Sequence, residues 1–271
     1  MRTPITYYGG KQRLADTIIQ MIPDHKVYCE PFFGGGAVFF RKPKSGVEAI
    51  NDINDGIINF YLCVQNRFEE IQMLIQQTLH SESMYYHAKD LWNDRVEASD
   101  IEKAWAFWVI TNGSFAGSTH GGWKWCNGTS GGQTGNFMRG KRNDFSEHLH
   151  RRLDNVQISC RDALRVIKER DHPDTFFYLD PPYPGSYQGH YSGYSHRDLW
   201  ELLNLIKGLK GKFILSNYWS QTLRFHILKY RWNFKEVEVL LRMTNLGSGT
   251  GIQKRTEILA YNYSLPAQTL F

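Results

Sequence analysis

The hexapeptide Tyr-Leu-Asp-Pro-Pro-Tyr at residues 178–183 places an acid, two prolines and a tyrosine at the end of an apolar run. Neither Pro181 nor Pro182 has a backbone N–H, and an ionised Asp180 only accepts hydrogen bonds. The segment is therefore an acceptor surface. It suits a flat ligand bearing an NH2 group: the carboxylate and a backbone carbonyl take the two hydrogens while Tyr183 stacks on the ring. The exocyclic amine of a nucleobase is a poor nucleophile because its lone pair is delocalised into the ring. Holding both hydrogens out of plane frees that lone pair, which is catalysis by positioning and electrostatics. A proline-stiffened strand end is the plainer alternative for the same four residues.

A second stretch, Glu-Pro-Phe-Phe-Gly-Gly-Gly at 30–36, ends another strand-like run with an acid and a turn. Glycines there let backbone approach a ligand and aim amides at it. Gly34 and Gly36 fit the first two positions of the dinucleotide fingerprint, but Phe39 occupies the third. That bulk argues against a pyrophosphate and leaves room for a nucleoside ligand without one. Asp52 ends the next strand and either accepts ribose hydroxyls or caps the following helix. Gly9-Gly-Lys-Gln12 lacks the upstream glycine and the Ser/Thr of a phosphate-binding loop. Cys29, Cys63, Cys126 and Cys160 form no close pair, so no metal centre is expected; Cys29 and Cys160 read as small core residues.

Taken in order, Tyr7-Tyr-Gly-Gly-Lys11, the Glu30–Gly36 stretch and Asp180–Tyr183 resemble the Dam-type DNA adenine methyltransferases. Ile50-Asn-Asp-Ile-Asn54 and Phe213-Ile-Leu-Ser-Asn217 support the likeness, which spans nearly the whole core. The resemblance implies direct methyl transfer from S-adenosyl-L-methionine to the adenine amino group of double-stranded DNA, without metal or covalent intermediate. It implies that Tyr7 and Lys11 lie against cofactor and target base. Glu30, Phe32 and the loop from Gly34 to Gly36 would hold the methionine end of the cofactor, Asp52 its ribose and Asp162 the region of its adenine. Asp180, Pro181 and Tyr183 would hold a flipped adenine, with Asp180 also bordering the cofactor. Tyr7-Tyr8 depart from the tryptophan-containing start of some relatives. A cytosine-amino, RNA or protein-glutamine methyltransferase presents a similar planar NH2, and a non-catalytic DNA-binding homologue is a further alternative.

The elements that must carry these residues read as an α/β Rossmann-like methyltransferase sheet, mostly parallel with one antiparallel strand. Strands are expected at 46–52, 155–160, 175–180 and 212–217, with helices after Asp52 and Asp162. Leu199, Leu202, Leu203, Ile206 and Leu209 predict a helix capped by Ser195 and stopped by Gly211. Two closing strands follow. Between 62 and 111 the pattern is helical, then glycine-rich and basic from 117 to 142. The expected organisation is a catalytic core at 1–61 and 153–271 around a helical target-recognition insertion at 62–152. Trp123, Lys124, Arg139, Lys141 and Arg142 are the expected DNA contacts, with Tyr187 in the glycine- and tyrosine-rich loop after the acid. A net charge of +5 agrees weakly with a polyanionic partner. No apolar run reaches the length of a membrane span, so a cytoplasmic monomer or weak dimer, bacterial or phage-encoded, is expected. The DNA word recognised, and whether the setting is a restriction system, are not legible.

Overall fold

The computed structural model describes residues 1–7, 9–126, 134–185, 193–245 and 248–265. Its centre is a seven-stranded sheet of β1 (Val27–Glu30), β2 (Val47–Asn51), β3 (Gln157–Ser159), β4 (Thr175–Leu179), β5 (Lys212–Asn217), β6 (Asn233–Asn245) and β7 (Ser248–Tyr261), in the spatial order β3-β2-β1-β4-β5-β7-β6. Pairings from β3 to β5 are parallel, whereas β7 runs antiparallel between β5 and β6. That is the expected sheet with its one reversed strand. The chain leaves β1 towards one edge and later returns to lay β4 against its other side. The crevice beyond the carboxyl ends of β1 and β4 is thus a topological switch point, where ligands bind in open α/β sheets.

Side chains alternate across a strand, so the sheet has two apolar faces. On the first, Tyr28, Ile50, Phe176, Tyr178, Ile214 and Leu259 meet α1 (Ala15–Met21) and α2 (Asp55–Asn66). On the second, Cys29, Phe177, Leu179, Phe213 and Leu215 meet α8 (Ala163–Glu169), α9 (His196–Ile206) and α10 (Gln221–Tyr230). Ser195 caps α9 in a reciprocal capping box with Asp198. The helix ends at Ile206, so Leu209 and Gly211 lie in the link to β5 rather than in its last turn.

The helical middle comprises α3 (Phe68–Gln77), α4 (Glu82–Trp92), α5 (Asp100–Gly113), α6 (Thr134–Asp144) and α7 (Glu147–Leu153). It builds no separate core among the described residues. Ile71, Tyr85, Leu91, Phe107, Met138 and Leu149 join the apolar cluster of the first sheet face. The expected boundary at 61/62 falls inside α2, which continues to Asn66. Three further expectations are corrected. Residues 134–144, read as part of a loop arm, form α6. The run Ala37–Phe40 makes turns instead of a regular helix, with helix-like bonds from Phe40 N to Gly36 O and from Lys42 N to Val38 O. Cys160 is exposed, whereas Cys29 is buried as expected.

Candidate active site

Asp180 follows the last residue of β4, where the parallel sheet delivers it to the switch-point crevice. Its Oδ1 lies 2.8 Å from Lys11 Nζ and accepts from the Tyr183 hydroxyl at 3.1 Å. Among the described residues no hydrogen bond falls on Oδ2. The Asp180 side chain keeps 18% exposure, against 8% for Lys11. Burial pushes the Asp180 carboxyl up to about 6, with Lys11 pulling the other way. Burial opposes the Lys11 charge as well, but Asp180 and Glu257 together hold the ammonium above its ordinary value. Lys11 Nζ also donates to Gly9 O at 3.1 Å and sits 4.8 Å from the centre of the Tyr183 ring.

Tyr183 differs from the free stacking platform expected of it. It is buried, meets Tyr218 edge-on at 4.6 Å, and places its hydroxyl 2.9 Å from Glu257 Oε2. The second acid explains the inward turn, because Tyr183 Oη is drawn to a pair of carboxylates. Ser216 Oγ donates to the same Glu257 oxygen at 3.0 Å. Sequence reading missed Glu257. The available signal was an acid leading the buried run Ile258–Tyr261, the same oddity that marked Asp180.

The glycine loop is shaped by its neighbours. Gly34 (φ 50°) and Gly36 (φ 65°) occupy the left-handed region that disfavours side chains. A Cβ on Gly34 would stand 3.1 Å from the Tyr7 ring, and one on Gly36 only 2.5 Å from Phe33. Tyr7 therefore lies on the loop. The buried Asp52 joins the loop to β2: Oδ2 accepts Gly34 N at 2.8 Å and Oδ1 accepts Asn54 N at 3.0 Å. Asn54, not Asp52, caps α2. Glu30 is fully desolvated at the end of β1, and burial raises its carboxyl to about 8 against the opposing hydrogen bond from Tyr28. Nearby, the Tyr61 hydroxyl is buried with no hydrogen-bond partner among the described residues, in the field of Glu30, Tyr7 and Asp52.

Phe32 is half-buried and packs against the apolar cluster of the second sheet face. Asp162 is exposed beyond β3, where its Oδ1 caps α8 by accepting Arg165 N at 3.0 Å. Pro181 is buried between Asp180 and Tyr183.

Beyond α5, Trp123 bridges to Ser114 and meets the His80 ring at a tilt, 5.1 Å between centroids, while Trp125 is 60% exposed. Lys124 stands over Phe137. Arg139 is exposed. Lys141, expected to face phosphate, instead turns inward to donate to Thr3 O at 3.0 Å, and burial lowers its ammonium to about 8. Arg142 bonds Gln76 O at 3.3 Å, tying α6 to α3. These bonds correct the picture of three equivalent surface cations. Tyr187 and Tyr191 lie outside the described residues. No cluster of metal-ligating side chains occurs among the described residues, and no described helix is long and apolar enough to cross a membrane.

Asp180, Lys11, Tyr183 and Glu257 converge at the switch point, and comparison with known proteins gives the class. Residues 7–241 match the D12 class N6 adenine-specific DNA methyltransferases, and the chain belongs to that family. Its methyl donor is S-adenosyl-L-methionine and its substrate is DNA adenine. The chain is 28% identical to a type II methyltransferase, M1.LlaDCHI, of Lactococcus lactis subsp. cremoris, over 94% of this chain and 93% of that one. It is 26% identical to the type II methyltransferase M.MjaIII of Methanocaldococcus jannaschii, over 96% and 98%. It is 24% identical to the DNA adenine methylase of Salmonella typhi, over 93% and 99%.

Proposed function

We propose that Asp180 is the acceptor that holds the target amine, and that the observation carrying this reading is the convergence of Lys11 and Tyr183 on Oδ1. Their donors engage Oδ1 and leave Oδ2 for an adenine N6 hydrogen. The Pro181 carbonyl side of the turn offers no competing N–H. An amine so held has its lone pair drawn out of the ring and aimed. The surplus proton of the methylated amine passes to Asp180, whose value near 6 suits it to receive and release a proton near neutral pH.

The cofactor site fits its ligand on the donor set. The Gly35 amide suits a carboxylate, Glu30 an ammonium and Asp52 a ribose diol, and Tyr61 supplies a buried donor unmet among the described residues. Phe32, Tyr7 and Asp162 complete its walls. Bound there, S-adenosyl-L-methionine supplies a methyl group activated by a sulfonium.

Adenine N6 is inaccessible to an enclosed site while stacked, so the base is flipped out of duplex DNA. Residues 62–152 act as the target-recognition insertion. Lys124 and Arg139 are the phosphate contacts within it, and Trp123 and the more exposed Trp125 flank the displaced base. The enzyme works as a monomer or weak dimer in the cytoplasm of a bacterial cell, from a chromosome or a phage. Incubation with labelled S-adenosyl-L-methionine and duplex DNA, followed by nucleoside analysis, should give N6-methyladenine. Label on cytosine alone would refute the reading.

A further inference from the structure

Glu257 lies on β7, beyond the residues 7–241 that match the family. Its side chain is 9% exposed and faces the same side of the sheet as Asp180. Oε2 accepts from Tyr183 Oη at 2.9 Å and Ser216 Oγ at 3.0 Å, and Oε1 stands 3.8 Å from Lys11 Nζ. Lys11 and Tyr183, the two groups that hold Asp180, are thus the groups that hold Glu257. A carboxylate at this depth persists where its charge and lone pairs are met. Here they are met by the machinery of the other acid.

We propose that Glu257 is a positioning residue: it draws the Tyr183 hydroxyl and the Lys11 ammonium to the inner side of Asp180, so that both engage Oδ1 and Oδ2 stays open to the target amine. This rests on the role given to Asp180 above. Without the second acid, Tyr183 and Lys11 would have Asp180 as their only carboxylate among the described residues. Both could then swing to Oδ2 and compete with the substrate. Glu257 also acts through charge. The groups facing Asp180 are Lys11 from the N-terminal segment, Glu30 from β1, Tyr178 from β4, Tyr183 after it and Glu257 from β7. Of these, Lys11 and the Tyr183 hydroxyl favour an ionised Asp180 and Glu257 opposes it.

The test is Glu257→Gln, with Ser216→Ala as a second variant that loosens Glu257 without removing it. Melting and calorimetric binding of S-adenosyl-L-methionine report folding and cofactor affinity. Turnover of adenine-containing duplex is followed across pH. The expected result for Glu257→Gln is unchanged cofactor affinity and a kcat lower by roughly a hundredfold, as misplaced catalytic groups produce. The acidic limb of kcat should move down by about one pH unit, because a like charge beside Asp180 is gone. A purely structural role would not move that limb. Ser216→Ala should lower kcat less, with binding intact. A folded Glu257→Gln enzyme with wild-type kcat or an unmoved limb overturns the proposal. If Glu257→Gln does not fold, Ser216→Ala at wild-type kcat overturns it instead. A wild-type chain that leaves adenine unlabelled refutes the role of Asp180 itself, a separate outcome.

Discussion

Asp180 sits in surroundings that resist its charge, and the reaction needs that charge. Since the ionised form accepts the amine hydrogens, turnover should fall as pH drops through about 6, the value that burial gives this carboxyl. A single-turnover pH profile measures this directly, and a limb near 4 would contradict it. Asp180→Asn replaces one acceptor oxygen by a donor and should lower kcat by about 10²–10³-fold, as loss of one preorganised electrostatic contact does. Cofactor binding by calorimetry should be retained. Glu30 makes the opposite kind of switch. Its folded value of about 8 keeps it largely protonated at pH 7. A cationic ligand end placed against it favours the ionised form, so cofactor binding at pH 7 should release a proton. Calorimetry in two buffers of different ionisation enthalpy reads that release, and identical heats would exclude it.

Among the elements, α6 separates cations that face solvent from one that does not. Arg139→Ala and Lys124→Ala should each flatten the salt dependence of DNA binding by about one phosphate contact. Lys141→Ala should leave the slope unchanged and lower the melting temperature instead, because its ammonium serves Thr3. Filter binding from low to moderate salt distinguishes them. The inward turn of Lys141 was not readable from the chain. Thr134–Asp144 holds two glycines, two asparagines, a threonine and an aspartate, a composition with little helix propensity. Packing of Met138 and the bonds of Lys141 and Arg142 override it. The acid after β4, the glycine loop and Asp52 were readable because their chemistry is local: prolines lack donors, glycines accept positive φ, and an acid ends an apolar strand. Glu257 showed only as an acid leading an apolar run; its place beside Asp180 was not readable, since only the register of β7 against β5 brings it there.

At the scale of the molecule, insertion and sheet are one body. Asn112 on α5 accepts from Thr6 N at 3.1 Å and Lys141 on α6 holds Thr3, so the segment leading to Lys11 is fastened to the insertion at two points. A second fastening is ionic. Glu48 on β2 pairs with Lys42 and with Arg152 on α7, whose Nη2 atom also reaches Phe39 O at 2.8 Å. Burial would raise the Glu48 carboxyl, but bonds from Arg152 and Lys42 outweigh it and hold the carboxyl low. Glu48→Ala leaves two cations buried and unmatched, and should destabilise the fold by about 3–5 kcal/mol. Denaturant melts test this. Because the folded value lies below the ordinary one, the stability from Glu48 is present above pH 4.5 and is lost on acidification below it.

The strand that carries Glu257 is wedged between two others instead of being laid on an edge. During synthesis β5 and β6 leave the ribosome before it, and they cannot pair with each other in the final arrangement. The crevice therefore acquires its second acid only when the last strand in chain order slots home. A nascent polypeptide already holding the Asp180 turn and the glycine loop would still be unarmed, and methylation would begin only with a finished sheet.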